Sequence, residues 1–359
     1  DEGSIREDWM ASLATDLASL TRAGGDVAPD IAIVSSGAVG VGRRRLNLPD
    51  RLKLEEKQAA AAAGQPLIAA AWARAFGAHR RQTAQILLTL ADMESRRRYL
   101  NARATLETLF SLGAAPIVNE NDTTATDELR YGDNDRLAAH VAQTCGADLL
   151  VILSDVDGLY DRDPRVHADA AHIAHVTEIT AALEAGAGGP NAEDAVGSGG
   201  MRTKLAAAKI AVAAGCAAIV GEGARPSPIA ALIDGARATV FKPTATPENA
   251  RRAWIAGRLS ATGAAHVDQG AADALAGGAS LLSAGVVHVD GAFEKGDAIA
   301  VVDPAGAMLG QGLSAYSSDE LRRIVGLKSA DVEATLGYRR AAAIHRDDLV
   351  LLDRRGDRP

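Results

Sequence analysis

The feature that most constrains this chain is the alternation of amphipathic helical stretches with short, continuous apolar runs. Apolar residues at near-helical spacing over 5–23 predict a first helix, and the apolar run at 31–34 predicts a strand. The alternation continues with predicted helices at 55–76, 92–112, 133–145 and 201–214 and predicted strands at 85–88, 115–118, 148–153 and 217–220. This order predicts an α/β fold with a mostly parallel sheet sandwiched by helices.

The pattern changes after about residue 257. Short apolar segments at 286–289, 298–302 and 307–309 are separated by Gly, Asp and Pro, and a helical pattern covers 319–325. A chain of 359 residues is also too long for one typical core. We therefore expect two domains: an α/β domain over 1–257 and a small β-rich domain, with one helix, over 264–353.

Composition excludes several classes of protein. No apolar run approaches the roughly 20 residues that span a bilayer. The net charge of −8 argues against a nucleic-acid partner, because phosphate binding needs clustered Lys and Arg. The two cysteines, Cys145 and Cys216, lie in apolar surroundings, as buried thiols in a reducing compartment do. These features predict a cytoplasmic protein with no membrane partner.

Polar clusters follow the predicted strands. Residues 35–38 (Ser-Ser-Gly-Ala) come after the first strand, 119–122 (Asn-Glu-Asn-Asp) come after the strand at 115–118, and 132–135 (Gly-Asp-Asn-Asp) open the next helix. In parallel sheets, ligands bind beyond the carboxyl ends of the strands. Amides there can hold a substrate's ammonium and carboxylate groups, and carboxylates can hold an ammonium group or Mg²⁺. The alternative is that these residues only cap helices and line solvated loops.

Two further clusters suit phosphate chemistry. Ser154 and Asp155 end the most apolar strand, and residues 198–204 (Ser-Gly-Gly-Met-Arg-Thr-Lys) open a helix. Glycines, hydroxyls and a lysine at a helix N-terminus favour phosphate binding. Neither a Walker A loop nor a dinucleotide fingerprint occurs, and no spacing indicates a metal site, so the metal ligands stay unknown. Ordinary strand-end turns and helix caps are the alternative interpretation.

These motifs, in this order, resemble the amino-acid kinase family. The motif Asn-Glu-Asn-Asp followed by Gly-Asp-Asn-Asp resembles the corresponding motifs of the family members that phosphorylate L-glutamate. At the C-terminal end, 316–324 and 345–348 resemble a PUA domain. The matching stretches in the larger domain are 34–38, 100–103 (Leu-Asn-Ala-Arg), 118–122, 132–135 and 199–204.

The resemblance implies the amino-acid kinase fold with an appended PUA-like domain. It also implies an ATP- and Mg²⁺-dependent enzyme that converts L-glutamate to L-glutamyl 5-phosphate, the first step of proline biosynthesis. By resemblance, Ser36, Asp122 and Asn134 contact glutamate, and Asp155 and Lys204 are catalytic. The expected ATP contacts are Ser154, Asp155, Ser198, Gly199, Gly200, Met201, Arg202, Thr203 and Lys204. Proline as a feedback inhibitor and assembly into a homo-oligomer are expected as well.

The sequence departs from the family pattern at its start. The family begins with a strand and a Lys-x-Gly-Ser/Thr loop, whose lysine contacts the phosphates, and this sequence begins after that point. We expect the protein to carry that segment upstream of Asp1, and a defective copy is the alternative.

Two other functions stay open at this stage. One is a different family member, acting on acetylglutamate, aspartate, carbamate or uridylate. The other is an RNA-binding PUA protein with a degenerate kinase domain. Residues 266–359 hold 10 Lys and Arg against 14 Asp and Glu, which is poor material for RNA contacts.

Overall fold

The computed structural model of the protein describes residues 4–23, 28–125, 134–162, 164, 166–186, 200–250 and 261–352. The chain divides into two compact units. The first contains Asp1–Glu94 and Asn101–Thr244, and the second contains Ser95–Leu100 and Ala245–Pro359. No helix within the described ranges is long and apolar enough to cross a bilayer.

Helices and strands are interspersed in the described part of the chain up to residue 244. The helices are α1 (Glu7–Ala23), α2 (Ala38–Arg45), α3 (Leu54–Gly77), α4 (Leu90–Glu94), α5 (Arg96–Ser111), α6 (Asn134–Cys145), α7 (Ala181–Gly186), α8 (Met201–Ala213) and α9 (Pro228–Ile233). The strands are β1 (Ile33–Val34), β2 (Thr83–Leu88), β3 (Ala115–Glu120), β4 (Leu149–Ser154), β5 (Leu159–Tyr160), β6 (His172–Ile173), β7 (His175–Val176), β8 (Ala217–Glu222) and β9 (Ala238–Phe241).

The main strands of the first unit pair mostly in parallel. In the order β1-β3-β2, Ile117 of β3 pairs in parallel with Ile33 of β1 and Gln85 of β2. In the order β4-β8-β9-β7, Ile152 of β4 pairs in parallel with Val220 of β8. The β8–β9 pair is antiparallel, whereas the β9–β7 pair is parallel. The predicted mostly parallel α/β architecture is confirmed.

Helices cover both faces of β3, the central strand of its sheet. Ile117 shares one apolar core with Trp72 of α3, whereas Val118 shares another with Leu106 of α5 and Leu137 of α6. Successive side chains of a strand point to opposite faces. Every residue of β3 is therefore buried, which explains why its first four residues, 115–118, form a continuous apolar run in the sequence.

Two glycines let α2 and α3 cross with their backbones in contact. A Cβ atom at Gly42 of α2 would overlap the carbonyl oxygen of Ala60, and one at Gly64 of α3 would overlap that of Ala38. Because α2 begins directly after the loop that follows β1, this crossing sets how closely α3 approaches that loop.

Buried hydrogen bonds join α1 to α9. The Asp16 carboxylate, whose residue is 8% exposed, accepts hydrogen bonds from the backbone N–H groups of Ile229 (3.0 Å) and Ala230 (3.1 Å). Nearby, Trp9 Nε1 donates to the carbonyl oxygen of Gly223 at 2.7 Å. A carboxylate at a helix N-terminus satisfies amides that have no partner within the helix. Asp16 therefore holds the first turn of α9 against α1.

Both cysteines are free thiols. Burial raises the pKa of Cys145 to about 11 and that of Cys216 to about 12. The thiols therefore stay protonated at neutral pH, which agrees with their interpretation as small apolar residues.

The second unit contains a five-stranded sheet in the order β11-β10-β12-β13-β14. The β10–β12 pair is parallel, and the other pairs are antiparallel. Buried side chains that include Leu275, Ile299, Tyr316 and Leu321 form its core. The strands are β10 (Gly263–Val267), β11 (Val286–Gly291), β12 (Ala298–Val302), β13 (Met308–Leu313) and β14 (Leu349–Leu351).

The expectation of one helix in this unit is wrong. Besides Ser318–Arg323, the structure has helices at Gln269–Ala276 and Ser329–Leu336. The helix at Gln269–Ala276 buries only Ala272 and Leu275, and that at Ser329–Leu336 buries only Val332. Short helices with so few buried positions show little periodicity in the sequence.

The single helix predicted over 92–112 is likewise two helices. α4 ends at Glu94 and α5 begins at Arg96, with Ser95 between them. Tyr99 N–H donates to the Ser95 carbonyl at 2.8 Å, so the first hydrogen bond of the new helix starts at the break itself.

We predict that Gly42→Ala and Gly64→Ala each destabilise the first unit by about 1–3 kcal/mol, because the added methyl groups meet backbone rather than a side chain that can move. Gly77→Ala is the matched control, since nothing lies within 4 Å of a Cβ atom there. Its effect should be within about 1 kcal/mol and in the stabilising direction. Urea unfolding of the three variants measures this, and equal effects at all three positions would contradict the close crossing.

Candidate active site

Two strand ends of the first sheet lie side by side and are extended by backbone hydrogen bonds. The N–H of Ser35, directly after β1, donates to the carbonyl oxygen of Val118 in β3 at 2.9 Å. The N–H of Asn121, directly after β3, donates to the carbonyl oxygen of Leu88 in β2 at 2.8 Å. The loops that start at these residues therefore share the carboxyl edge of the sheet, where ligands bind in parallel α/β folds.

A chain of side-chain amides crosses this edge. Asn134, the first residue of α6, donates from Nδ2 to the carbonyl oxygen of Ser35 (2.9 Å) and to Oδ1 of Asn119 (3.2 Å). Asn119 in turn donates from Nδ2 to Oε1 of Gln65 in α3 at 2.7 Å. Asn119 is 2% exposed and Gln65 is 7% exposed, so the two inner members lie out of water. We call Gln65, Asn119 and Asn134 the amide chain.

One face of α3 contacts three different parts of this edge. Gln58 Nε2 donates to the carbonyl oxygen of Ala125 (3.2 Å), Gln65 accepts from Asn119, and Trp72 Nε1 donates to Oγ of Ser35 (3.0 Å). The three side chains are seven residues apart, close to two helical turns, so they lie on the same side of the helix. None of them, nor Asn119, was among the site residues predicted individually. Their spacing within an Ala-rich segment is the sequence signal that could have drawn attention to them.

A buried ion pair links two of the predicted motifs. Lys204 Nζ lies 3.0 Å from Oδ2 of Asp135, and the two side chains are 8% and 19% exposed. Lys204 lies in the first turn of α8, which is N-capped by Gly200, and Asp135 lies in the first turn of α6. The structure thus places a carboxylate partner beside the lysine that was expected to meet the nucleotide phosphates.

The carboxyl end of β4 carries a hydroxyl and a carboxylate. Ser154, 7% exposed, donates from Oγ to Oδ1 of Asp155 at 3.0 Å, and Asp155 itself is exposed. The N–H of Gly223, directly after the neighbouring β8, donates to the Ser154 carbonyl at 2.7 Å. This end of the second sheet therefore presents a solvent-accessible carboxylate on a fixed backbone.

The loop after β1 is open. Ser36 and Gly37 are exposed, and Gly37 has φ 95°, a conformation that favours glycine, as it begins the turn into α2. Asp122 lies one residue beyond Asn121 and is half-buried. Their roles in substrate binding stay predictions.

The expected ATP-binding segment is described only from Gly200 onward. Ser198 and Gly199 lie outside the described residues, as do Gly132 and Asp133 of the Gly-Asp-Asn-Asp motif. Gly200 and Arg202 are exposed, whereas Met201 and Thr203 are half-buried, and Thr203 Oγ1 donates to the Gly200 carbonyl at 2.7 Å. Among the residues that the structure describes, no group of three or more His, Cys, Asp or Glu side chains is arranged to hold a metal ion.

Comparison with known proteins finds two family matches in different parts of the chain. Residues 2–222 match the model of the amino acid kinase family, and residues 263–336 match that of the PUA domain. Three curated relatives are called glutamate 5-kinase. That of Paramagnetospirillum magneticum is 54% identical over 350 residues, covering 97% of this chain and 93% of its own.

The relative from Caulobacter vibrioides is 53% identical over 352 residues, which cover 98% of this chain and 92% of its own. That from Rhizobium etli is 50% identical over 352 residues, which cover 98% of this chain and 89% of its own. A family model that matches most of the chain, together with relatives about half identical over nearly all of it, shows that the chain belongs to the amino acid kinase family.

Proposed function

We propose that the protein transfers the γ-phosphoryl group of ATP to the side-chain carboxylate of L-glutamate and releases L-glutamyl 5-phosphate and ADP. One observation carries this proposal. Asn134 and Asp135 are consecutive residues, yet the first joins the amide chain and the second pairs with Lys204. The start of α6 therefore joins the predicted glutamate-binding half of the site to the predicted ATP-binding half. The relatives named glutamate 5-kinase support the choice of substrate.

The chemistry needs little beyond alignment and charge neutralisation. The carboxylate of glutamate is ionised at neutral pH, since its ordinary pKa is about 4.3, so no general base is required. A carboxylate oxygen attacks the γ-phosphorus while the bond from that phosphorus to the bridging oxygen of ADP breaks. The obstacle is repulsion between two anions, which fixed positive charge and orientation reduce.

Lys204 can supply fixed positive charge near the phosphates, and Asp155 can help to bind the Mg²⁺ of the ATP complex. Burial strengthens the field of the Lys204 ammonium group, and its bond to Asp135 holds it in one place. A Mg²⁺ ion bound with ATP would add positive charge at the phosphates, and in proteins such an ion is commonly held by one or two carboxylates besides the phosphates. The exposed carboxylate of Asp155, at the end of β4, fits that role.

Further expectations rest on the family resemblance and stay proposals: proline as a feedback inhibitor, a homo-oligomeric assembly and a cytoplasmic location. We also propose the division of the chain into an amino-acid kinase domain over 1–257 and a PUA-like domain over 264–353.

The first prediction concerns activity. The protein that carries the strand and Lys-x-Gly-Ser/Thr loop expected upstream of Asp1 should consume ATP when L-glutamate and Mg²⁺ are both present, and hydroxylamine should trap the acyl phosphate as a hydroxamate. Without that segment the activity should be weak or absent. N-acetylglutamate, aspartate, carbamate and uridylate, offered at the same concentrations, should give little turnover. Turnover with any of them that equals that with glutamate would contradict the assignment of the substrate.

A second prediction separates a catalytic Lys204 from a structural one. Lys204→Met should lower kcat about 100- to 1,000-fold, as removal of one preorganised electrostatic group does. It should also destabilise the protein, because it removes the lysine partner of the mostly buried Asp135 carboxylate. The double variant Lys204→Met/Asp135→Asn removes both charges, so it should regain most of the stability.

Thermal unfolding and kcat measured on the same preparations decide the matter. A catalytic Lys204 requires that the double variant stays inactive when its stability returns. If activity returns with stability, the ion pair serves only the fold. Asp155→Asn is a useful comparison, because its side chain is exposed: it should keep the native melting temperature while kcat falls.

A third prediction concerns proline. Millimolar proline should inhibit the reaction, and the inhibition should weaken as the glutamate concentration rises, because we expect the two ligands to share a site. Initial rates over a grid of both concentrations test this. Inhibition that is independent of glutamate would place proline elsewhere, and the absence of any inhibition would remove it as a regulator.

A further inference from the structure

We infer that Gln65 is a positioning residue for substrate selection: through Asn119, it helps to fix the side-chain amide of Asn134 with its carbonyl oxygen directed to the ligand. The site then selects an amino acid with a free ammonium group over a dicarboxylate that lacks one. This inference rests on the proposed function and adds the chemical group by which the substrate is recognised.

The backbone carbonyl of Ser35 determines the polarity of the amide chain. A carbonyl oxygen can only accept a hydrogen bond, so the group of Asn134 that faces Ser35 at 2.9 Å must be the donor, Nδ2. The same nitrogen faces Asn119, which must therefore present its oxygen at 3.2 Å. The nitrogen of Asn119 is then left to face Gln65, whose oxygen accepts it at 2.7 Å. Each amide orientation follows from the one before it.

With its nitrogen bonded to Ser35 and Asn119, the side chain of Asn134 has only its oxygen available to a ligand. Both hydrogens of its Nδ2 are used, one by Ser35 and one by Asn119. The remaining group is Oδ1, which has no hydrogen-bond donor among the residues that the structure describes and lies at the ligand-binding edge of the sheet. An oxygen acceptor attracts the N–H groups of an ammonium ion and disfavours a carboxylate. Asn134 is therefore built to recognise the amino group of its substrate.

If the only role of Gln65 were to fill space, an apolar residue would give a more stable fold. The Nε2 atom of Gln65 is buried and has no hydrogen-bond partner in the described part of the chain. Such groups are rare in folded proteins, and each reduces the stability of the fold. A methionine of similar shape would fill the same volume without that donor. What methionine lacks is the oxygen that holds Asn119, so the useful property of Gln65 is its acceptor.

The experiment compares affinity for L-glutamate with affinity for glutarate, the same five-carbon dicarboxylate without the amino group, by calorimetry on the wild type, Gln65→Met and Gln65→Glu. The wild type should prefer glutamate by about tenfold or more, which is the value of one good hydrogen bond to a charged group. Gln65→Met should lose part of that preference, because Asn119 is then free to rotate while the Ser35 carbonyl still holds the amide nitrogen of Asn134. Gln65→Glu keeps an acceptor for Asn119 and should retain it.

Kinetics provide a second readout. Gln65→Met should raise the KM for glutamate several-fold, while the KM for ATP and kcat stay within about twofold, because only the recognition of the ammonium group has changed. Gln143→Met is the matched control: it makes the same chemical change at an exposed position of α6 and should alter none of these values. If Gln65→Met does not fold, Asn119→Leu interrupts the same chain and is expected to give the same loss of preference.

The outcomes separate the two proposals. If the wild type does not phosphorylate glutamate, the proposed function fails, and the ligand preference still tests the amide chain by itself. If Gln65→Met prefers glutamate over glutarate as strongly as the wild type does, the inference is overturned while the function stands. A wild type that binds neither ligand overturns both.

Discussion

The site depends on the contact between the backbones of α2 and α3. Gly42 and Gly64 leave no room for a Cβ atom at the crossing, so the two helices meet more closely than side chains would allow. Gln65 directly follows Gly64, and α2 directly follows the loop at Ser35. The crossing that brings the helices together therefore also brings the Gln65 amide within reach of Asn119 and Trp72 within reach of Ser35. The packing of the helices and the hydrogen bonds of Gln65 and Trp72 therefore depend on one steric condition.

The start of α6 plays a comparable part on the other side of the site. Asn134 and Asp135 are adjacent on the helix, so successive side chains point about 100° apart and can bind partners in different directions. The side chain of Asn134 bonds Ser35 in the loop after β1, and that of Asp135 bonds Lys204 in α8. Any shift of α6 would disturb both sets of contacts together. This coupling gives a physical reason for the closely spaced polar residues of the Gly-Asp-Asn-Asp motif.

The sequence predicted the strand ends at which the polar clusters lie better than the contacts among their side chains. Strand ends and small-residue turns are local patterns, so the edge of the first sheet at Ser35 and Asn119, and that of the second sheet at Ser154, could be expected from the order of helices and strands. The partners of these residues come from α3, whose Ala-rich sequence has no strong apolar stripe to show which side faces the sheet. The pairing of Asp135 with Lys204, which are 69 residues apart, likewise depends on how α6 and α8 pack. The short helices of the second unit were missed because they bury too few residues to show a period.

The polar groups of the site are held out of water by an apolar frame. Asn119 and Lys204 are buried, and Nε2 of Gln65 has no hydrogen-bond partner among the residues that the structure describes. Each of these three residues therefore contributes less stability than an apolar residue could at the same position. The gain is that their dipoles and charge act in a medium of low dielectric constant and need not reorient when the substrate arrives. Cores on both faces of β3 and the capping of α9 by Asp16 stabilise the frame around them. The rigidity of these neighbours is therefore part of the chemistry, because a buried amide that could rotate would present donor and acceptor alike and distinguish no substrate.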